Sequence, residues 1–432
     1  MRNLKKTYLV LSVISTLGIS VNATTLREAL IDGKIGGEIR SVTVMSSYTD
    51  AIETGPYNNA NSSAIALQLN YESLDYYGFK TQIGFQTAHS FDIEDNNSKT
   101  ADVPTFYNEN ESRVTQEGSN LYLANISYST GNTNIKVGKQ LVSTPLMSFS
   151  NVNPLVDTFQ GVSIVNKDLP ETEIKFYIIK DWYERYSTTN SSRITHFKKP
   201  TYSFYVKNNT IDNLTLEGQY LAVTDSVGNP TDAPLATDDK YSTYYGSFNY
   251  KLPTSIPLSF GSFYAGAKYD STTGKGYISE GNANMYGIKL GGKLGDTGFK
   301  IAYTKVGDDK DFIGNFGHVP NFFKYNGGQM FTDNFFAGVS STSILLIPKL
   351  IPGVVNLFSF SKYSQSEKGI LNTTRGHNMD GASEIQADLR YKFSGVLKGF
   401  TTRLQVAQIN LDKPADVDDK MTVAKLYLNY RF

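Results

Sequence analysis

The sequence predicts an all-β protein, a transmembrane antiparallel up-and-down β-barrel of about eighteen strands. Three observations carry that expectation. The chain opens with an export leader, apolar and polar residues alternate with period two up to the last residue, and short turns alternate with long polar connections.

The leader comes first. MRNLKKTYLVLSVISTLGISVNATT begins with Arg2, Lys5 and Lys6, continues as an apolar run from Tyr8 to Val21, and reaches a small-x-small site at Val21-Asn22-Ala23. Residues 1–23 are therefore expected to be a cleaved signal peptide, and 24–432 a single barrel domain. The apolar run is short for a membrane span of about 20 residues, and no later stretch is long enough for a transmembrane helix. Losing the leader removes three cations and takes the formal charge from 0 to −3, which leaves no basic excess for nucleic acid. The chain has no Cys, so its stability comes from the fold and not from disulfides. It has 29 Tyr and 25 Phe, yet its mean hydropathy is −0.31. An aromatic chain with few continuous apolar segments suits a wall that is greasy on one side and wet on the other.

The strands follow from alternation. In the last one, Phe432, Tyr430, Leu428, Leu426 and Ala424 share one face, and Arg431, Asn429, Tyr427 and Lys425 share the other. In EIQADLRYKF, Ile385, Ala387, Leu389, Tyr391 and Phe393 alternate with Glu384, Gln386, Asp388, Arg390 and Lys392. No amphipathic helix in the sequence is able to cover these apolar faces, so lipid is the expected cover. Strands are expected at 34–46, 62–74, 78–90, 119–129, 133–142, 159–166, 172–183, 199–208, 213–224, 240–251, 259–269, 283–293, 297–306, 331–344, 353–363, 381–393, 399–410 and 421–432. DYYG, TGNT, LGDTG and SGVLKG supply the Gly, Asn and Asp of tight turns. The long connections, 91–118, 225–239, 307–330, 364–380 and 411–420, are polar. An even strand count places both termini on the short-turn side, the periplasm of a Gram-negative cell, and Phe432 at a membrane–water boundary among other aromatics.

Charges turned toward hydrocarbon near the midplane cost roughly 2–4 kcal/mol each, so charged residues on the strands are expected inside. Glu38, Arg40, Lys139, Asp388, Arg390, Lys392, Arg403, Lys425 and Arg431 are the resulting interior candidates. Basic residues there attract anions, and facing carboxylates set up a transverse field. A barrel of about 16 to 18 strands leaves an aqueous interior, and diffusion through it requires no cofactor.

The connection at 143–158 differs from its neighbours. It carries Pro145, Leu146, Met147, Phe149, Pro154, Leu155 and Val156 where a solvated loop is polar. Two prolines and an apolar face suggest a rigid segment folded into the interior, with Asp157 at its end facing the arginines. The run GKQLVSTPLMSFSNVNPLVDTFQGVSI resembles the corresponding segment of the OprD-type outer-membrane porins. Gly138, Lys139, Gln140, Pro145, Pro154, Thr158, Phe159, Gly161 and Val162 occupy the matching positions. TLREALIDGKIGGEIR is similar to the start of related campylobacter-type porins, and the terminal Tyr430 and Phe432 look like the targeting signal read by the barrel-insertion machinery. The resemblance implies an 18-stranded outer-membrane channel passing small hydrophilic, often anionic or zwitterionic, solutes. It also implies a basic ladder opposite an acidic patch and a third outward loop that narrows the lumen. LMSFSNVN departs from the charged residues family members often show there. Relatives include monomers and trimers, and outer-membrane lipid and lipopolysaccharide are the implied surroundings.

Other chemistry is sparse. His89, His196, His318 and His377 have no spacing for a zinc site, and no catalytic Ser–His–carboxylate set assembles. VGDDKDF (306–312) and DVDDK (416–420) lack the fixed calcium-loop spacing and read as solvated acidic loops. The alternatives left open are a closed barrel acting as an adhesin or anchor, and a barrel enzyme acting on lipid.

Overall fold

The protein, seen as a computed structural model, is described at residues 25–48, 60–92, 118–183, 194–227, 240–270, 280–312, 316–317, 336–373, 378–411 and 419–432. Residues 1–23, expected to be a signal peptide, much of the long polar connections, and His318 and His377 lie outside these residues.

Eighteen strands form one antiparallel wall. The first nine are β1 (Lys34–Tyr48), β2 (Ala60–Glu72), β3 (Phe79–Asp92), β4 (Gly118–Thr130), β5 (Thr133–Gln140), β6 (Thr158–Asn166), β7 (Thr172–Tyr183), β8 (Ile194–Asn208) and β9 (Leu214–Val223). The rest are β10 (Tyr241–Leu252), β11 (Leu258–Tyr269), β12 (Gly281–Leu294), β13 (Thr297–Val306), β14 (Val339–Ile347), β15 (Val354–Gln365), β16 (Ser383–Lys392), β17 (Phe400–Leu411) and β18 (Asp419–Arg431). Each pairs with its sequence neighbour, and β1 pairs with β18 from Glu38↔Arg431 to Tyr48↔Met421, which closes the barrel and leaves no free edge.

The short turns lie at one end. Gly131 (φ 54°) and Gly295 (φ 56°) take the left-handed conformation that a β-carbon disfavours, which lets a strand reverse in two residues. At the same end a six-residue helix, α1 (Leu26–Ile31), is held by a reciprocal cap between Thr25 and Glu28. A second short helix, α2 (Glu367–Asn372), is capped by Ser366 in the β15–β16 connection at the opposite end.

One expected strand is displaced. The run at 331–344 begins at Val339, because Ala337–Gly338 form a turn with Gly338 at φ 73° and Phe336 packs into an interior apolar cluster. Strand β8 also starts earlier than expected, at Ile194.

Alternation sorts the wall into two faces. Ile39, Ile65, Leu69, Phe85, Ile126, Val137, Ile344, Phe360, Ile385, Leu404 and Leu426 point outward and are exposed to whatever surrounds the barrel. No described helix is long and apolar enough to cross a membrane. The apolar belt is continuous around the wall, and hydrocarbon is the surrounding that stabilises it. Phe432 closes the belt at the short-turn end, its backbone exchanging hydrogen bonds with Gly37 (3.0 and 3.1 Å) and its ring stacked beside Tyr430 at 6.2 Å.

Candidate functional site

The interior is built from the inward positions of every strand, and one quarter of it concentrates charge. On β16, β17, β18 and β1 the inward residues include Asp388, Arg390, Lys392, Arg403, Lys425, Arg431, Glu38 and Arg40. Arg390 and Arg403 are direct cross-strand partners, and both grip Asp388. Arg390 donates from Nε at 3.0 Å and Nη2 at 2.7 Å. Arg403 donates from Nε at 3.0 Å and Nη2 at 2.7 Å, and its guanidinium lies over the Tyr427 ring. Gln405 adds a bond at 3.2 Å. Glu38 repeats the motif with Arg40 at 3.0 Å and Arg431 at 3.2 Å. Two like-charged guanidiniums sit side by side because a carboxylate is shared between them, and each cluster keeps a net positive charge. Lys392 is exposed at the short-turn end of this wall, and Lys425 is buried one row above Arg403.

The segment between β5 and β6 lies against inward side chains far from its own strands. Gln219 of β9 accepts the Leu146 N–H at 2.8 Å and donates to Thr144 Oγ1 at 2.8 Å. Arg40 of β1 donates to Asn153 O at 3.1 Å. The Gln86 amide of β3 accepts from Val156 N at 3.1 Å and donates to Val156 O at 3.2 Å, as a neighbouring strand would. Strands β9 and β1 lie on opposite sides of β5, so the segment spans the interior. Its apolar residues account for its path. Val142, Leu146 and Met147 join Phe159, Ile179, Trp182, Phe197, Leu221, Phe263 and Met285 in one cluster, with Phe149 packed against it. Leu155 packs on Ala66 and Ala88. Pro145 is half-buried, Pro154 is buried, and Met147–Ser148 pair in parallel with Phe316–Gly317 from the β13–β14 connection.

Two candidates sit differently from expectation. Lys139 is opposite Ala124 and Gln160, on the same face as Val137, which is 54% exposed. It therefore points to the outer side of the wall, with its amine 3.6 Å from the centre of the Tyr183 ring. The inward positions of β5 are Lys136, Gly138 and Gln140, as strict alternation requires. Asp157 is buried, and its Oδ2 accepts the Ser150 N–H at 3.3 Å within its own segment.

Sequence reasoning missed a second group of interior charges toward the short-turn end. Lys136 donates to Gln82 at 3.3 Å, Glu173 pairs with Lys175 at 2.8 Å, and Lys207 lies 3.6 Å from Glu217. Lys289 and Lys300 face inward from adjacent strands. Alternation on β5, β7, β12 and β13 was the signal available. Nothing in the sequence marks Gln86 or Gln219. Among the described residues no group of three or more His, Asp and Glu side chains is placed to hold a metal ion.

Comparison with known proteins agrees with this architecture. No curated protein sequence matches the chain. Pseudomonas aeruginosa OccK8 (OprE) superposes with a TM-score of 0.69 at 13% identity, covering 94% of this chain and 99% of that one. Acinetobacter baumannii OccAB4 gives 0.69 at 14% identity, covering 92% and 97%. Pseudomonas aeruginosa OpdK, solved with vanillate, gives 0.65 at 14% identity, covering 92% and 98%. The family model described as outer membrane porin, OprD family, matches residues 86–342, and the chain belongs to that family.

Proposed function

We propose that this outer-membrane channel passes small hydrophilic solutes by passive diffusion, that residues 143–158 narrow its lumen, and that it favours anions. The observation that carries the reading is the triple tether of that segment, through Gln219, Arg40 and Gln86, to strands on opposite sides of the interior. A segment fixed on both sides takes cross-section from the path. Its apolar half packs on the β6–β13 wall, which shifts the water-filled path toward β16–β18 and β1. There two carboxylates are each held by two arginines, so a passing anion meets surplus positive charge in the narrowed lumen. The vanillate of OpdK is an aromatic carboxylate, in keeping with such a lining. Glu38, Arg40, Asp388, Arg390, Lys392, Arg403, Lys425 and Arg431 line the path in this reading, and Tyr430 and Phe432 serve assembly. The chain acts as a monomer without a cofactor, after removal of residues 1–23.

Planar-bilayer recording tests this. The protein is expected to insert with stepwise conductance, and a salt gradient should give a reversal potential of anion-selective sign. Deleting residues 146–153 should raise unitary conductance severalfold. Unchanged conductance in a variant that still forms a heat-modifiable barrel rejects the narrowing role, and a leak-free bilayer rejects the channel.

A further inference from the structure

The outer wall carries a basic knuckle at the long-loop end. Along β7 and β8 the ladder runs regularly to Ile179↔Thr201 and resumes at Asp181↔His196. One residue of β7, Lys180, therefore stands opposite four residues of β8, 197–200. A bulge of this kind redirects side chains and interrupts pairing. Phe197 anchors the excursion from inside, fully buried in the interior cluster. The Lys180 amine caps the carbonyls of Phe197 and Lys198, which the missing ladder bonds leave open. Lys198 and Lys199 are thereby held exposed at the head of the excursion, next to His196, whose side chain is 59% exposed.

Height and charge identify the partner. The next outward residue down β8 is Tyr202, exposed at the top of the apolar belt, so the lysines stand at the level of the outer-leaflet headgroups. The Asp181 carboxylate lies 2.6 Å from His196 Nδ1 and is balanced by the outward Lys139, and Asp225 approaches Lys198 at 3.9 Å. Lys180 and Lys199 remain as surplus cations. Elsewhere along this rim Lys268 stands on Asp270 at 3.2 Å, and Lys305 on Asp308 and Gly338 O at 3.1 and 2.9 Å. Three clustered lysines at headgroup height complement a phosphate. The phosphates at that leaflet of a Gram-negative outer membrane belong to its glycolipid.

We propose that Lys180, Lys198 and Lys199 bind the phosphate groups of the lipid A moiety of that glycolipid and fix an annular lipid at β7–β8. The proposal rests on the outer-membrane placement of the family and not on the narrowing role of residues 143–158. A basic residue near an anionic lipid surface is worth about fivefold in affinity, and Lys180 and Lys198 already hold partners of their own, so the three together are expected to change affinity by about tenfold.

The test measures binding of bis-phosphorylated lipid A to the detergent-solubilised full barrel by native mass spectrometry. Lys180→Gln/Lys198→Gln/Lys199→Gln should bind about tenfold more weakly than wild type, while fully dephosphorylated lipid A should bind both equally. Millimolar inorganic phosphate should not displace the lipid; displacement would identify a free-phosphate site and overturn the proposal. Unitary conductance should be unchanged, which separates this outcome from any failure of the channel reading. Binding of the triple variant within twofold of wild type overturns the proposal. Should that variant lose its heat-modifiable band, Lys199→Glu alone decides, with at least a fivefold loss required.

Discussion

The backbone N–H of Leu146 is bound by the side chain of Gln219 at 2.8 Å, although 73 residues separate them and the bond lies inside the barrel. Gln219 Nε2 is used as fully, donating to Thr144 Oγ1 at 2.8 Å and Ser203 Oγ at 2.9 Å. One amide thus ties the segment to β9 and fixes its own orientation through β8. Gln219→Leu keeps the volume and removes every bond, leaving the buried Leu146 N–H without that acceptor. An unmade buried bond costs about 1–3 kcal/mol, so states with this end of the segment released should become roughly 5- to 150-fold more populated. Single-channel recording should show more frequent excursions to a higher conductance, and Gln219→Glu, which keeps the acceptor for Leu146, should show fewer than the leucine variant.

Asp388 governs the charge of the lining. It is 2% exposed and accepts from two arginines and a glutamine. Asp388→Asn removes one negative charge and leaves Arg390 and Arg403 repelling each other across adjacent strands. Breaking a buried pair costs about 3–5 kcal/mol where solvent is excluded. Here Arg390 and Arg403 retain 35% and 24% exposure and the interior is wet, so a smaller loss is expected. The melting temperature should fall by a few degrees and the reversal potential should move further toward the anion limit. Lys139→Gln provides the contrast, because its amine lies over Tyr183 on the outer face. It should leave selectivity unchanged, and a shift as large as that of Arg403→Gln would place Lys139 in the lumen.

That contrast also shows what the sequence could and could not reveal. Barrel strands bury one face against water and one against lipid, so period two is written into each of them, and most boundaries fall within a few residues of their expected places. The exception at 331–344 arose because Phe336 and Ala337 read as a continuation of the strand, while Gly338 turns the chain. Alternation gives a face: on β16 and β18 it puts Asp388, Arg390 and Lys425 on the inward side of the wall. Lys139 is the exception, because the cost of a charge facing lipid argues for the interior while the pairing of its own strand puts it on the Val137 face, where the Tyr183 ring receives the amine. The glutamine tethers were invisible, since they join residues 70 to 73 positions apart through polar side chains that resemble any other inward residue.

Gly37 and Phe432 form the seam where the barrel closes. A β-carbon at Gly37 would lie 2.6 Å from Phe432 Cζ and 2.5 Å from the Gln68 carbonyl oxygen. The ring of Phe432 thus occupies the space a side chain would need, and the ladder of β2 presses from the other flank. Gly37→Val should displace both, whereas Phe432→Ala removes only the ring. Both should lower the fraction of folded, heat-modifiable barrel in outer-membrane fractions without lowering synthesis, the valine more severely. Equal assembly of Phe432→Ala and wild type would remove the terminal aromatic from the assembly role.

The long-loop end is locked by Asp308. Its Oδ1 accepts from the Ser366 hydroxyl at 2.7 Å and the Lys305 ammonium at 3.1 Å, and Asn372 donates to its backbone carbonyl at 2.9 Å. Gln365 continues the lock, donating to Ala337 O and accepting from Met379 N, both at 2.8 Å. The Ser366 hydroxyl, and then Lys305, hold the Asp308 carboxyl below its ordinary range. A carboxyl depressed in the folded state binds its proton more readily once the lock is open. Its contribution is therefore complete above the ordinary aspartate value of about 4 and is lost as pH falls through the lower folded value. Asp308 is largely solvated, so screening keeps the contribution modest. Pepsin cleavage within 366–373 should accelerate from pH 4.5 to pH 2.5 more than cleavage elsewhere, relative to a control substrate. Asp308→Asn should already be cleaved faster at pH 4.5 and should lose most of the additional acceleration. If the variant keeps the wild-type pH dependence, the Asp308 carboxyl is not the group that holds this connection.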